Sequence, residues 1–306
     1  FFHSNSMVIN WIKAFRLRTL PLSLSCIITG NFLAFSLDTF SWNILALSLL
    51  TTLFLQILSN LANDLGDSLK GTDNDNRIGP KRSVQTGSIS ISSMKKAIQL
   101  FVLLSLLTGI ILLIVSFGNS YILELILFFI LGVLSIVAAI KYTMGKNPYG
   151  YKALGDLFVF IFFGIVGVLG SYFLQTKSIN FLVAFPALAI GALSVSVLNM
   201  NNLRDLHQDK LSHKRTFAVI LGVNGTKKYQ IFLISTAIIS MIAFSYFKFN
   251  SWEHFLYLIT LLPLFSNINR TLHFKQHQEL DSELKKIALS TFVLSLGLSL
   301  TIFLVT

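Results

Sequence analysis

The stretch Leu49-Leu50-Thr51-Thr52-Leu53-Phe54-Leu55-Gln56-Ile57-Leu58-Ser59-Asn60-Leu61-Ala62-Asn63-Asp64-Leu65-Gly66-Asp67 decides the class of this chain. It closes an apolar run that opens at Trp42 and stops at two carboxylates. Crossing a hydrocarbon core takes about 20 mostly apolar helical residues, and 42–62 supplies them. The run does not alternate apolar with polar residues, so it reads as a helix and not as a barrel strand. If the helix continues past the apolar run, Asn60, Asp64 and Asp67 share one face at i, i+4 and i+7.

The rest of the chain has the same character. Its 306 residues are 54% hydrophobic and 12% charged, with mean hydropathy +0.72. An ordinary soluble domain carries roughly 25% charged residues. Half that share cannot solvate a globule of this size, which excludes a soluble enzyme, and the hydrophobicity excludes disorder. We expect an all-α polytopic membrane protein, with 1–306 forming a single transmembrane domain. Nine spans are predicted, at about 19–36, 42–62, 97–117, 121–141, 154–174, 180–200, 228–247, 252–268 and 287–305. The first is short and Pro263 interrupts the eighth.

Short connections, near Asp38, Asn119, Lys177 and Lys248, alternate with long ones at about 63–96, 142–153, 201–227 and 269–286. Of the 24 Lys and Arg, 22 fall in the N-terminal segment and the long connections, and only Lys177 and Lys248 fall on the other side. The positive-inside rule then predicts a multi-pass protein with a cytoplasmic N-terminus and an outside C-terminus. The same rule accounts for most of the net charge of +11, so nucleic-acid binding is not needed to explain it. The one cysteine, Cys26, excludes an intrachain disulfide. Phe1–Ser6 has no charged stretch leading into an apolar core, so no cleavable leader is expected. Met7 is the expected native start, and residues 1–6 are left out of the functional reading.

Carboxylates are scarce, 13 in all, and seven of them stand just beyond helix ends on the expected cytoplasmic side: Asp64, Asp67, Asp73, Asp75, Asp156, Asp205 and Asp209. The first cluster, with Asn60 and Asn63, ends span two. The second, Asn199-Met200-Asn201-Asn202-Leu203-Arg204-Asp205-Leu206-His207-Gln208-Asp209, ends span six and puts Asp205 and Asp209 on one face. Like charges at that spacing repel and need a counter-charge beside a membrane. Carboxylate and amide oxygens suit Mg²⁺, which binds through one or two carboxylates and lets phosphate oxygens complete its shell. A purely structural alternative pairs each Asp with nearby Lys and Arg. Basic residues follow each cluster, Arg77, Lys81 and Arg82 after the first and Lys214 and Arg215 after the second, and either residue type binds phosphate oxygens. A third polar stretch, Tyr142 to Lys152, carries three Tyr and leads to Asp156. It reads either as an interfacial aromatic belt or as a site. Among the 28 Phe, some could line a chamber for an apolar chain. His273 and His277 have metal spacing without a carboxylate partner, and Glu124 reads as interfacial.

The string from Gln56 to Asp67, followed by Lys70-Gly71-Thr72-Asp73, Arg77-Ile78-Gly79-Pro80 and Arg82, resembles the UbiA superfamily of membrane aromatic prenyltransferases, most closely its 1,4-dihydroxy-2-naphthoate polyprenyltransferase branch of menaquinone biosynthesis. Asn202 to Asp205 with Asp209 and Lys214-Arg215-Thr216 resembles that family's second Asp motif. Tyr149-Gly150-Tyr151-Lys152-Ala153-Leu154-Gly155-Asp156 resembles its middle loop, and Trp11 to Pro21 its opening segment. The resemblance runs from about Trp11 to Gly222. Two departures stand out. Gly71 occupies the place of a usual Asp, so that Asp73 or Asp75 substitutes, and Leu17 occupies the place of a usual proline.

The resemblance implies Mg²⁺ held by Asp64, Asp67, Asp73, Asp205 and Asp209, and a polyprenyl diphosphate bound by Asn60, Asn63, Arg77, Lys81, Arg82, Asn202 and Arg215. The acceptor is dihydroxynaphthoate, positioned by Tyr149, Lys152 and Asp156. The expected reaction is prenyl transfer with loss of CO₂ and diphosphate, giving demethylmenaquinol. Two alternatives remain at this point: a prenyltransferase for 4-hydroxybenzoate or another phenolic acid, and a cation-coupled secondary transporter. The second is disfavoured because transporter sites lie near mid-membrane.

Overall fold

A computed structural model describes residues 2–37, 39–73 and 78–305, the side chains of residues 2–6 excepted. Asp38, Asp75 and Arg77 therefore lie outside the described residues. Every regular element is helical: α1 Phe2–Phe15, α2 Leu20–Leu33, α3 Trp42–Leu69, α4 Ile91–Phe117, α5 Ile122–Lys141, α6 Gly155–Thr176, α7 Ala184–Arg204, the short α8 Leu206–Leu211, α9 Phe217–Lys248, α10 Leu262–His273 and α11 Leu280–Val305. Among the described residues, seven helical segments are long and apolar enough to cross a membrane, namely α3, α4, α5, α6, α7 with its leading turn, α9, and α11 with its leading turn.

The other two expected spans fall on elements that do not qualify. α2 has 14 helical residues, roughly 21 Å at 1.5 Å per residue, against a hydrocarbon core of about 30 Å. It is enclosed by α3, α6, α7 and α11 and buries ten of its residues, polar ones included. Thr29 donates to Ser295 on α11 at 2.9 Å, and Gln175 on α6 donates to Asn31 at 2.7 Å. A helix surrounded by protein has no need of an uninterrupted apolar surface. The region 252–268 divides into a 3₁₀ stretch, Trp252–Leu261, and α10. Pro263 sits in the first turn of α10, where its missing N–H costs no intrahelical bond.

α3 runs seven residues beyond the apolar stretch predicted for it and ends only at Leu69, so Asn60, Asp64 and Asp67 are on one continuous helix. α7 stops at Arg204, and Asp205 stands at the junction with α8. The Asp209 amide still donates to the Asp205 carbonyl at 2.8 Å, which keeps the two carboxylates one turn apart. The middle of α6, Phe160–Gly170, is wound wide as a π-helix. Gly164 and Gly191 let α6 and α7 touch backbone to backbone, since a Cβ on Gly164 would lie 2.7 Å from the Ala187 carbonyl. Gly222 carries a kink near the start of α9, at φ 65°, a conformation that costs glycine nothing.

The polar ends of several helices meet. Arg18, just before α2, approaches Asp281 at the start of α11, which Arg204 at the end of α7 also reaches. Lys227 on α9 donates to the Leu272 carbonyl at the end of α10.

Candidate active site

The first acidic cluster is built by the end of α3 and the loop that returns to α4. Asp64 is buried and accepts the Ser83 amide on one oxygen at 3.0 Å and the Val84 amide on the other at 3.2 Å. A single carboxylate thus holds the returning loop against α3. Asp67 is the hub of the site. Its Oδ1 accepts from the Tyr151 hydroxyl at 2.8 Å, and its Oδ2 lies 3.4 Å from Arg82 Nη2 and 3.5 Å from Lys214 Nζ. These three partners come from the middle loop, the first long loop and the third long loop, which are distant in sequence. Asp73 is buried with its Oδ2 at 3.2 Å from Arg82 Nε, so Arg82 stands between Asp67 and Asp73.

The second cluster is clamped from its own helix. Arg204 donates through Nε and Nη2 to the two oxygens of Asp205, at 2.8 and 2.7 Å, the forked geometry of a strong guanidinium–carboxylate pair. It also bonds Asn201 and Asp281. Asp209 and Asn202 are buried beside it. The two clusters join through Lys214, whose ammonium reaches Asp67 and lies 5.2 Å from the centre of the Tyr151 ring. A parallel backbone bridge between Lys152 and Arg215 ties the middle loop to the third. Tyr142, the cap of α5, is half-buried and feels the charges of Asp156, Asp67 and Asp209. Burial first, then these three negative charges, push its hydroxyl above the usual phenol range. Burial followed by the Asp67 charge does the same to Tyr151, and burial followed by the neighbouring Tyr142 does so to Tyr149. All three phenols therefore stay protonated, and Tyr151 acts as a donor to Asp67.

Beneath the clusters lies a cavity of about 390 Å³, within the usual range for a ligand site. Its polar end carries Asn60, Asn63 and Tyr142, and its remaining wall is chiefly apolar, with Leu113, Phe128 and Phe162 among the lining residues. Asn60 is committed to the fold, donating to the Phe15 carbonyl and to Thr19 at 2.9 and 3.0 Å. Asn63 accepts from Thr143 at 3.2 Å. Gly66 is needed here because a Cβ would fall 2.4 Å from the Thr143 hydroxyl.

Several expected residues do not converge on this site. Lys81, Lys152 and Arg215 are exposed. In the extended segment around 214–216 the side chains alternate, so Lys214 and Thr216 turn inward and Arg215 outward. Lys214, not Arg215, is the third loop's cation at the hub. Tyr149 lines the cavity but gives its hydroxyl to the Ala138 carbonyl at 2.9 Å and stacks on Phe158. Asp156 is buried but lines a second cavity rather than the first. Sequence reasoning did not single out Tyr151, Tyr142 or Thr72, whose hydroxyl lies 2.6 Å from that of Tyr151. The tyrosines' place in a loop already flanked by Asp156 was the signal.

Hard oxygen donors suited to a divalent cation are present in both clusters. Among the described residues, no three acidic, His or Cys side chains close on a single point. Arg82, Lys214 and Arg204 now supply the positive charge at Asp67, Asp73 and Asp205.

The chain is similar to known proteins in sequence and in fold. The signature of the UbiA prenyltransferase family matches residues 23–301. The 1,4-dihydroxy-2-naphthoate octaprenyltransferase of Haemophilus influenzae is 43% identical over 253 residues, covering 82% of each chain. The Escherichia coli protein of the same name is 41% identical over 249 residues, covering 81% of this chain and 80% of its own. Among solved structures, the apo UbiA homologue from Aeropyrum pernix K1 superposes with a TM-score of 0.69 at 14% identity, over 94% of this chain and 98% of the homologue. A UbiA homologue from Archaeoglobus fulgidus, bound to DMAPP and Mg²⁺, superposes with a TM-score of 0.65 at 15% identity, over 96% and 99%.

Proposed function

The chain belongs to the UbiA prenyltransferase family, and from that premise we propose that it transfers a polyprenyl group from a polyprenyl diphosphate to 1,4-dihydroxy-2-naphthoate, releasing diphosphate and CO₂ and giving demethylmenaquinol. The acceptor is taken from the two relatives at 43% and 41% identity, which carry the same name. The observation that carries the reading is the hub at Asp67, where Lys214 and Arg82 meet at 3.5 and 3.4 Å beside the polar end of a largely apolar cavity. An oily diphosphate needs these two environments side by side.

The tail lies in the apolar cavity, and Asn63 at its polar end faces the headgroup. Arg82 and Lys214 exchange Asp67 for the diphosphate oxygens and hold the negative charge that grows as the allylic C–O bond breaks. Asp64, Asp67, Asp73, Asp205 and Asp209 are the ligands available to a divalent cation, which fits them by donor type and is Mg²⁺ on this reading. When bound, the cation supplies further neutralisation of the leaving group. Arg204 keeps Asp205 aimed, and Tyr151 keeps Asp67 aimed. The ring attacks the allylic carbon, and the ring carboxyl departs as CO₂. Asn60, Asn202 and Tyr149 shape the site, and Arg77, Lys81, Lys152 and Arg215 attract anions at its rim. We place all nine hydrophobic segments across the bilayer in one domain, with the clusters and the N-terminus on the cytoplasmic side and the C-terminus outside. The 22-to-2 partition of Lys and Arg supports that orientation.

The test is product analysis by mass with purified protein, a polyprenyl diphosphate, dihydroxynaphthoate and Mg²⁺. A prenylated, decarboxylated product is expected, and chelation of the metal should stop its formation. Asp64→Asn and Asp205→Asn should each abolish transfer in folded protein. Full activity in either variant refutes the metal assignment, and turnover of 4-hydroxybenzoate alone refutes the acceptor.

A further inference from the structure

The residues used above leave one buried carboxyl without a task. Asp156, in the first turn of α6, is 8% exposed, and its Oδ2 has no hydrogen-bond partner. It lines a second cavity of about 430 Å³ among α6, α7 and α9, on the far side of α6 from the main one. The two cavities use different faces of that helix: Phe158 and Phe162 line the main cavity, and Asp156 and Phe160 line the second.

The wall of the second cavity comes from faces with helical spacing. On α7 these are Leu188, Ala192 and Val195, at i, i+4 and i+7. On α9, Tyr229 and Thr236 stand seven residues apart, roughly 10 Å along the axis. The kink at Gly222 folds the start of α9 back, so that the Phe217 ring meets Tyr229 edge to face at 5.0 Å. Aromatic rings thus surround the end that holds Asp156. At the mouth, Leu157, Leu188 and Phe232 are exposed on the outer surface of the bundle.

We propose that this cavity is a second binding site for a hydroxyl-bearing prenylated aromatic lipid. The ring lies among Phe160, Phe217 and Tyr229, the hydroxyl donates to Asp156, and the isoprenoid chain leaves between Leu188 and Phe232 into the bilayer. The chemistry selects this class of ligand. Oδ2 of the carboxyl lacks a donor and a ligand hydroxyl provides one, while the aromatic rim favours a flat ring over a bare chain. The membrane-facing mouth admits a molecule whose other end is hydrocarbon. The inference rests on the reaction proposed above, whose product has this chemistry, and it makes the cavity a station for product beside the reaction chamber.

The test uses full-length protein in nanodiscs, without prenyl diphosphate or divalent cation, and a geranyl-substituted 1-naphthol as probe in equilibrium dialysis. Wild type is expected to show saturable binding. Asp156→Ala should weaken it at least tenfold, and Thr236→Trp, which fills the cavity from its lipid side, should abolish it. Leu188→Trp serves the same purpose if Thr236→Trp does not fold. Ile110→Trp, at the main cavity, should leave probe binding unchanged. Binding untouched by the Asp156, Thr236 and Leu188 substitutions, or lost only in Ile110→Trp, overturns the second site. Failure of wild type to form product in the transfer assay overturns instead the reaction it rests on, so the two failures are distinguishable.

Discussion

Replacing Asp67 by Asn tests the joining of the two clusters most directly. The amide has the carboxylate's shape and can still accept from the Tyr151 hydroxyl, so the change removes charge and little else. The Asp67 side chain is 3% exposed, and its partners Arg82 and Lys214 are 9% and 11% exposed. At an effective dielectric of 20, each unit-charge attraction at such distances is on the order of 4 kcal/mol before desolvation. Removing one partner from a buried charge cluster costs about 3–5 kcal/mol, because the remaining ions stay out of water. Arg82 keeps Asp73 at 3.2 Å, and Lys214 lies near enough to the rim to reach water, which puts the expected loss at the lower end, about 3 kcal/mol. Unfolding in mixed micelles with rising SDS, followed by circular dichroism, reads that value. The decisive measurement is the cycle with Lys214→Met. If the two charges meet as described, the double variant should recover about 1–3 kcal/mol relative to additivity. Coupling below about 0.5 kcal/mol, the scatter expected of independent sites, refutes the contact and with it the convergence of the two loops.

Tyr151→Phe removes the hydroxyl shared by Asp67 and Thr72. It should cost about 1.5–3 kcal/mol, the range for a hydrogen bond to a charged group, and slow prenyl transfer, as read from the same unfolding series and the product assay. Arg204→Met strips Asp205 of its bidentate partner and should destabilise by about 3 kcal/mol, whereas Lys152→Ala and Arg215→Ala, at exposed positions, should stay within about 0.5 kcal/mol. The half-buried phenols set the alkaline limit. Because the folded protein holds Tyr142, Tyr149 and Tyr151 protonated at a pH where unfolded tyrosine, with a pKa of about 10, ionises, stability should be level below about pH 10 with respect to these groups and fall above it. Absorbance titration of tyrosinate against the unfolding midpoint checks both the order of events and the sign.

Helix type, the continuation of α3 and the two acid-bearing tips are legible in the sequence because each follows from a local pattern: an apolar run, a spacing of i, i+4 and i+7, an amide beside a carboxylate. Which cation serves which carboxylate is not local. Lys214 and Arg215 are adjacent and chemically similar, and only the backbone bridge between Arg215 and Lys152 decides that Lys214 faces Asp67. Tyr149 and Tyr151 divide in the same way, the first bonding back to Ala138 on the preceding helix α5 and the second to a helix more than 80 residues earlier in the chain. For Asp64 and Asp205 the spacing leaves open a metal ligand or a partner of nearby Lys and Arg. The fold gives them two backbone amides and one guanidinium, partners whose arrival depends on loop geometry that no periodicity encodes.

Two of the nine expected spans, at α2 and near Pro263, do not stand out as long apolar helices for a related reason. Hydropathy measures how well a segment tolerates lipid, but α2 is enclosed by α3, α6, α7 and α11 and carries Ser25, Thr29 and Asn31 fully buried. Its solvent is protein, so its length and composition are set by its neighbours' hydrogen bonds and not by the bilayer. A helix of this kind lets the main cavity sit inside the bundle: Ser23, Cys26 and Ile27 of α2 line that cavity, and a longer, wholly apolar helix would be better placed at the periphery. The segment least legible as a membrane span is therefore one the chamber requires. The same enclosure explains why the polar contacts that fix α2, Thr29 to Ser295 and Asn31 to Gln175, reach across 266 and 144 residues of sequence.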